Sequence, residues 1–137
     1  MGKTTLIHLK DYYGNIQFSY ECEDNSVKKT LEAARKEHKR LYNLFINGVD
    51  LYGIDMTGMS LTNSIFIDCN LSKAKIDCAR LLYNEFRYTF FDQAEFTRTD
   101  LSYSVFMDCE IRRCNFTEVD MSHVSVIEQA IHTSTFK

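Results

Sequence analysis

Residues 94–118 read AEFTR TDLSY SVFMD CEIRR CNFTE, five blocks that align on their third letter: Phe96, Leu101, Phe106, Ile111 and Phe116. Continuing the same step outward, from Leu51 to Phe136, places a large apolar residue at all eighteen positions it visits. With 45% of the chain hydrophobic, such a run arises by chance on the order of once in a million. The register contains no insertion. Two residues before these positions the side chain is usually small, as at Ser64, Cys69, Ala74, Ala79, Ser104 and Cys109. The residue between is often polar, as at Asp50, Asn70, Glu95, Asp100 and Asn115.

A step of five matches neither the strand period of 2.0 nor the helix period of 3.6, so a straight element would scatter these residues over every face. The chain must turn at each step. The motif of small residue, Asp or Asn, Leu or Phe and two free positions resembles the pentapeptide-repeat family, written A(D/N)LXX, and CNLSK, AEFTR, TDLSY and CNFTE match it closely. The resemblance implies an all-β solenoid, a right-handed quadrilateral β-helix in which each pentapeptide forms one side and four sides make a coil. The large residue and the small one before it then face the interior. A narrow square core accommodates that pairing, and one coil alone cannot bury it, so coils must stack. Eighteen sides give about 4.5 coils, roughly 20 to 25 Å tall at the strand spacing. Residues 49–137 are assigned to this β-helix.

Residues 1–48 read differently. Thr4 to Lys10 and Asn15 to Cys22 alternate like two strands joined by a Gly14-Asn15 turn, which predicts a β-hairpin. Asn25 or Ser26 is placed to cap a helix running to about Tyr42, with Val27, Leu31, Ala34, His38 and Leu41 on one face. A solenoid end exposes an apolar cross-section and unpaired backbone, so this unit is expected to be the cap. The phrase ECEDNS before a Lys-rich helix and the repeats is similar to an N-terminal module of bacterial and bacteriophage proteins. At the other end the repeats continue to Phe136. An open last coil is expected there, and with it a homodimer that buries Ile131 and Phe136 of two chains.

If four sides make a coil, residues twenty apart form columns. The side centred on Phe66, Phe86, Phe106 and Val126 then carries Ile65, Val105, Ile67, Met107 and Ile127 outward, beside a corner column of Tyr83, Tyr103 and His123. Glu85 and Arg87 belong to the same side. Such an apolar and aromatic surface marks an interaction site, so Ile65, Ile67, Tyr83, Tyr103, Val105, Met107, His123 and Ile127 are the expected partner-binding residues.

Charge and chemistry narrow the function further. Residues 1–48 hold 8 basic and 6 acidic side chains (+2), and residues 49–137 hold 8 and 13 (−5). A repeat half that leans acidic is not built to grip nucleic-acid phosphates, so no direct nucleic-acid binding is expected. Five cysteines without CxxC spacing suggest reduced thiols in a cytoplasm, with neither disulfides nor a zinc site. No apolar stretch approaches membrane-spanning length. The opening GKTT lacks the upstream glycine of a phosphate loop, and the four histidines fall on different elements, so no enzyme, cofactor or metal is expected. The expected function is that of a non-enzymatic effector that engages a bacterial protein through an outer face of the β-helix, in one form a phage-encoded modulator of a host factor. The alternative, implied by the family resemblance, is a DNA-mimicking ligand of DNA gyrase or topoisomerase IV that inhibits the enzyme or protects it from quinolones. Sustained negative charge along the rod would be needed for that, and Lys73, Lys75, Arg98, Arg112 and Arg113 interrupt it.

Overall fold

The computed structural model describes residues 2–127, 130–132 and 135–136, with the side chains of 130–132 and 136 outside the description. A hairpin of β1 (Thr4–Lys10) and β2 (Ile16–Glu23) precedes α1 (Val27–Lys36). There follow β3 (Leu41–Tyr42), β4 (Phe45–Asn47), β5 (Leu61–Thr62), β6 (Ile65–Ile67), β7 (Glu85–Arg87) and β8 (Val105–Met107). The last strands are β9 (Glu110–Arg112), β10 (Asn115–Phe116), β11 (Ser125–Ile127), β12 (Ala130–His132) and β13 (Thr135–Phe136). No helix among the described residues is long and apolar enough to cross a membrane.

Among the described residues, every pairing within the chain beyond α1 is parallel and joins residues twenty apart, while Leu44 also bridges back to Asp11 of the hairpin. Leu41 pairs with Leu61, Ile46 with Phe66, Phe66 with Phe86, Phe86 with Phe106, and single bridges link Asp50, Asn70, Phe90 and Glu110 in succession. Four such columns make the four-sided β-solenoid. The ladder reaches back past Val49 to Leu41, so the five-residue step is already running where α1 ends. The central residues Leu61, Phe66, Leu71, Ile76, Phe86, Phe91, Phe96, Leu101 and Phe106 are buried, and so are the residues two before them, which are small except at Met59 and Asn84. Phe66, Phe86 and Phe106 stack at 5.2 and 5.0 Å between ring centres, and Phe96 lies on Phe116 at 4.9 Å.

Each side ends in a corner, and each corner uses one left-handed residue: φ is positive at every fifth position from Asn43 to His123. On about half of the sides a hydrogen bond closes the corner, as from Ile54 N to the Leu51 carbonyl at 3.0 Å and from Ser104 N to that of Leu101 at 3.0 Å. At Leu61–Ser64 the buried side chain of Asn84, one coil on, replaces this bond. Its Nδ2 donates to the Leu61 carbonyl at 2.8 Å and its Oδ1 accepts from Ser64 N at 2.8 Å. The column continues both ways, with Ser64 Oγ accepting from Leu44 N at 2.9 Å and Ser104 Oγ accepting from Asn84 N at 3.2 Å. A polar ladder thus runs inside a largely apolar core, partnered as burial requires.

The hairpin and helix satisfy the edge that the first coil would leave open. The Gln17 amide accepts from Tyr42 N at 3.0 Å and donates to the Tyr42 carbonyl. Tyr12 N donates to the Asn43 carbonyl at 2.9 Å, and Glu32 accepts from Asp55 N at 3.0 Å. Leu9, Leu31 and Ala34 cover the end of the core. Two local expectations need correcting. The helix stops at Lys36, not near Tyr42, because Leu41 is drawn into the ladder; Glu37 and His38 donate back to the Ala33 and Arg35 carbonyls, and His38 turns left-handed at φ 55. The hairpin loop is wider than Gly14-Asn15: Asp11 Oδ1 accepts from both Tyr13 N at 2.9 Å and Asn15 N at 2.8 Å, and Gly14 takes φ 88.

Replacing Asn84 by Leu keeps the branching of the side chain but strands the buried Leu61 carbonyl and Ser64 N–H. The substitution should destabilise the chain by about 2–4 kcal/mol in urea unfolding. Thiol chemistry offers an independent check of the packing. Cys78 is exposed whereas Cys69, Cys109 and Cys114 are buried, and burial pushes the Cys109 thiol up to about 11. At pH 8 that thiol stays protonated and unreactive. Iodoacetamide should therefore modify Cys78 first and reach the buried three only in denaturant, as mass spectrometry would read.

Candidate protein-binding face

One side of the solenoid is strand over its whole height. β4, β6, β7, β8 and β11 form a five-stranded parallel sheet, whereas most sides elsewhere are single bridges and turns. The composition favours this, since Ile, Phe and Val at β4, β6 and β8 suit a pleated, half-buried surface. Alternation sends Ile46, Phe66, Phe86 and Phe106 inward and aligns two outward columns. One is Phe45, Ile65, Glu85, Val105 and Ser125; the other is Asn47, Ile67, Arg87, Met107 and Ile127.

Ile65, Ile67, Val105 and Met107 lie half-buried on this outer surface, and Ile127 is exposed. Tyr83, Tyr103 and His123 form the adjoining corner column. Tyr83 and Tyr103 stack at 4.8 Å with planes 8° apart, and His123 continues the stack on Tyr103 at 4.7 Å and 13°. All three residues are left-handed, with φ of 59, 62 and 57. At this corner two rungs of ring stacking offset a backbone that these side chains would not otherwise choose.

The surface is not one continuous apolar patch. On the middle strand Arg87 donates from both Nε and Nη2 to Glu85 Oε1 at 2.9 and 2.8 Å. The ion pair separates an upper apolar pad, Ile65 and Ile67, from a lower one, Val105 and Met107. Three aromatic residues outside the expected set extend the surface: Phe45 above Ile65, Tyr88 at the opposite corner, and Phe90 beyond it, all exposed. Stepping back twenty from Ile65 finds Phe45 in the sequence. Tyr88 falls on a free position of the motif, which tolerates any side chain, whereas Phe90 stands where the motif has Asp or Asn, a departure that the count in fives passes over.

The hairpin leaves the middle of this face open, its hydrogen bonds to the solenoid being made with Tyr42, Asn43 and Asn63. On the neighbouring sides acid is offset by base: Arg113 pairs with Asp92 at 2.8 Å and Arg112 lies 3.8 Å from Glu110. Ile131 and Phe136, expected at a dimer contact, have their backbones in β12 and β13, paired with β9 and β10; their side chains lie outside the described residues. Removing the Tyr103 ring deletes both rungs of the corner stack. Tyr103→Ala should lower stability by about 1–2 kcal/mol, seen as a reduced melting temperature with an unchanged circular dichroism spectrum.

No curated protein matches the chain in sequence. Among solved structures it is similar to a pentapeptide repeat protein (Rfr23) from the cyanobacterium Cyanothece 51142, at 12% identity, 82% of this chain, 100% of that one and a TM-score of 0.34. It is similar to HetL, a pentapeptide repeat protein involved in heterocyst differentiation regulation from Nostoc sp. strain PCC 7120, at 12% identity over 66% of this chain and 50% of that one, with a TM-score of 0.44. Full-length QnrB1, a plasmid-mediated fluoroquinolone resistance protein, matches at 17% identity over 72% of this chain and 65% of its own, with a TM-score of 0.28. Similarity at this level concerns the fold alone. The family model for pentapeptide repeats matches in eight copies over residues 46–81 and 91–126, more than half of the chain. With that match on the unbroken step of five, the chain belongs to the pentapeptide-repeat family.

Proposed function

We propose that this chain is a non-enzymatic effector that binds a bacterial protein through the five-stranded side of its solenoid. The observation that carries the reading is the outward-facing combination of two apolar pads, a stacked Tyr83–Tyr103–His123 corner and a central Glu85–Arg87 pair. Aromatic anchors on a surface that does not rearrange favour association, because little side-chain entropy is lost on docking. In this reading residues 1–48 cap the solenoid, residues 49–137 supply the binding surface, and the setting is a bacterial cytoplasm, uninfected or phage-infected. The offset acid on the flanking sides weighs against mimicry of DNA, which requires sustained negative potential.

Val105→Asp with Met107→Asp should abolish capture of the partner from bacterial lysate while leaving the melting temperature within a few degrees of wild type. Retained capture by the double variant would sink the assignment of this face. A gyrase supercoiling assay separates the mimic: inhibition or quinolone protection at low micromolar protein would replace this reading with the other.

We also propose that two copies associate through the C-terminal coil. Val126 occupies the inward column yet is 42% exposed, against 1% for Phe106 one coil earlier, and Met121 and Val124 are partly exposed. Light scattering should give twice the chain mass for wild type and the single mass for Val126→Asp; a monomeric wild type at micromolar concentration refutes the dimer.

A further inference from the structure

Where α1 ends against the side centred on Leu41, Leu61 and Leu81, the surface opens into a cleft of about 570 Å³. That lies within the range of about 300–1,000 Å³ usual for small-molecule sites. Arg35, His38, Lys39, Arg40 and Arg80 line it, and none of its ten lining residues is Asp or Glu. Four permanent positive charges therefore meet in a chain of net charge −3.

The fold assembles this cluster from distant parts of the sequence. Leu41 pairs with Leu61 and Ser60 with Arg80, so Arg40, Ser60 and Arg80 stand in one outward column. The two arginine backbones are two rungs apart, roughly 10 Å. The left-handed turn at His38 swings Lys39 and the end of the helix over the same column. Asp100 follows Arg80 one rung along the same column, but the ion pairs among the described residues involve Arg35, Arg87, Arg112 and Arg113, and not Lys39, Arg40 or Arg80. Arg35 gives Nη2 to Asp55 at 3.2 Å, while its Nε is buried without an acceptor. Partial burial works against ionisation of Asp55, but hydrogen bonds from Thr57 and the charges of Arg35 and Lys75 hold its carboxyl below the usual range. Asp55 thus remains a fixed anchor for the outer end of Arg35.

The remaining walls supply hydroxyls from Ser60 and Thr62 and the ring of Tyr42, which is 54% exposed. The Tyr42 backbone is clamped on both its N–H and its carbonyl by Gln17, so the ring rests on a fixed base. The helix end opposes an anion only weakly, since the Ala33, Ala34 and Arg35 carbonyls already accept from Glu37, Lys39 and His38.

Guanidinium forks match phosphate oxygens bidentately, and an exposed aromatic ring offers a stacking surface for a base. The geometry points to a nucleoside polyphosphate as the ligand of this cleft, its phosphates on Arg40, Arg80 and Lys39 and its base on Tyr42. An acidic peptide would use the charges but leave the ring unused.

Calorimetric titration of the full chain with ATP and with sodium tripolyphosphate, without divalent metal, tests the assignment. ATP should bind saturably at one site. Arg40→Glu with Arg80→Glu, both exposed, should weaken it by more than about 10-fold at an unchanged melting temperature. Tyr42→Leu should weaken ATP by about 5- to 100-fold and leave tripolyphosphate unaffected. Should the double charge reversal unfold the chain, Lys39→Glu alone supplies the comparison. Absence of saturable heat up to about 1 mM ligand, wild-type affinity in the charge variants, or ATP binding indifferent to Tyr42→Leu each overturns the proposal. Tighter binding of a poly-glutamate peptide or of oligo(dT) than of ATP also overturns it, assigning the cleft to a protein or to a single strand.

Discussion

A chain that must turn every five residues has to find a left-handed residue every five residues, and the rest of this molecule is arranged around that demand. From Asn43 to His123 the positive φ recurs without a gap, yet only Gly48, Gly53 and Gly58 in this series are glycines. No atom lies within 4 Å of a Cβ built at those three, so glycine serves the backbone there and not a tight contact. For each of the others, left-handed backbone costs on the order of 1 kcal/mol. What offsets it is the regularity itself: each corner sets the next N–H and carbonyl against the adjoining coils, as Leu71 N meets the Phe90 carbonyl at 2.7 Å and Asn70 N that of Val49 at 3.2 Å. Each turn of the chain also drops one large and one small side chain into a continuous core.

The same demand explains what could be read from the sequence and what could not. The inward positions carry the repeat because packing selects their size, so the coil and its columns are legible in Leu51, Leu71, Phe86 and Phe106. The outward positions are unconstrained by the core, and their meaning appears only once the columns are stacked. Tyr88 and Phe90 are of this kind. Asn84 sits at a position read as merely small; it is the exchange of a turn hydrogen bond for a side-chain one that makes it structural, and no spacing encodes that. The premature end of α1 was hidden because Leu41 fits a helical face as well as it fits the ladder.

Net charge also concealed something. An acidic repeat half argues correctly against a long basic stripe, but the average runs over surfaces that do not touch. Arg40 belongs to the cap in sequence and to the solenoid in register, and only that register sets it above Arg80, with α1 closing the third wall. A sum over residues 49–137 misses a cluster whose members fall on both sides of residue 49.

The middle strand of the five-stranded side decides what can dock there. Ile65 and Ile67 on one side and Val105 and Met107 on the other would welcome almost any apolar surface, which gives affinity without selectivity. Glu85 and Arg87 lie between them, joined by two hydrogen bonds and partly buried. A flat apolar partner laid across both pads would strip water from this pair without returning its hydrogen bonds, a loss that grows as the surface dries. A partner docking here, as proposed, would therefore have to bring a polar group to the centre of an otherwise apolar contact. A solenoid whose strands are held by stacked rungs on both sides has little room to shift them to evade that requirement, so under the proposed reading the packing that stabilises the coil would also make the face selective.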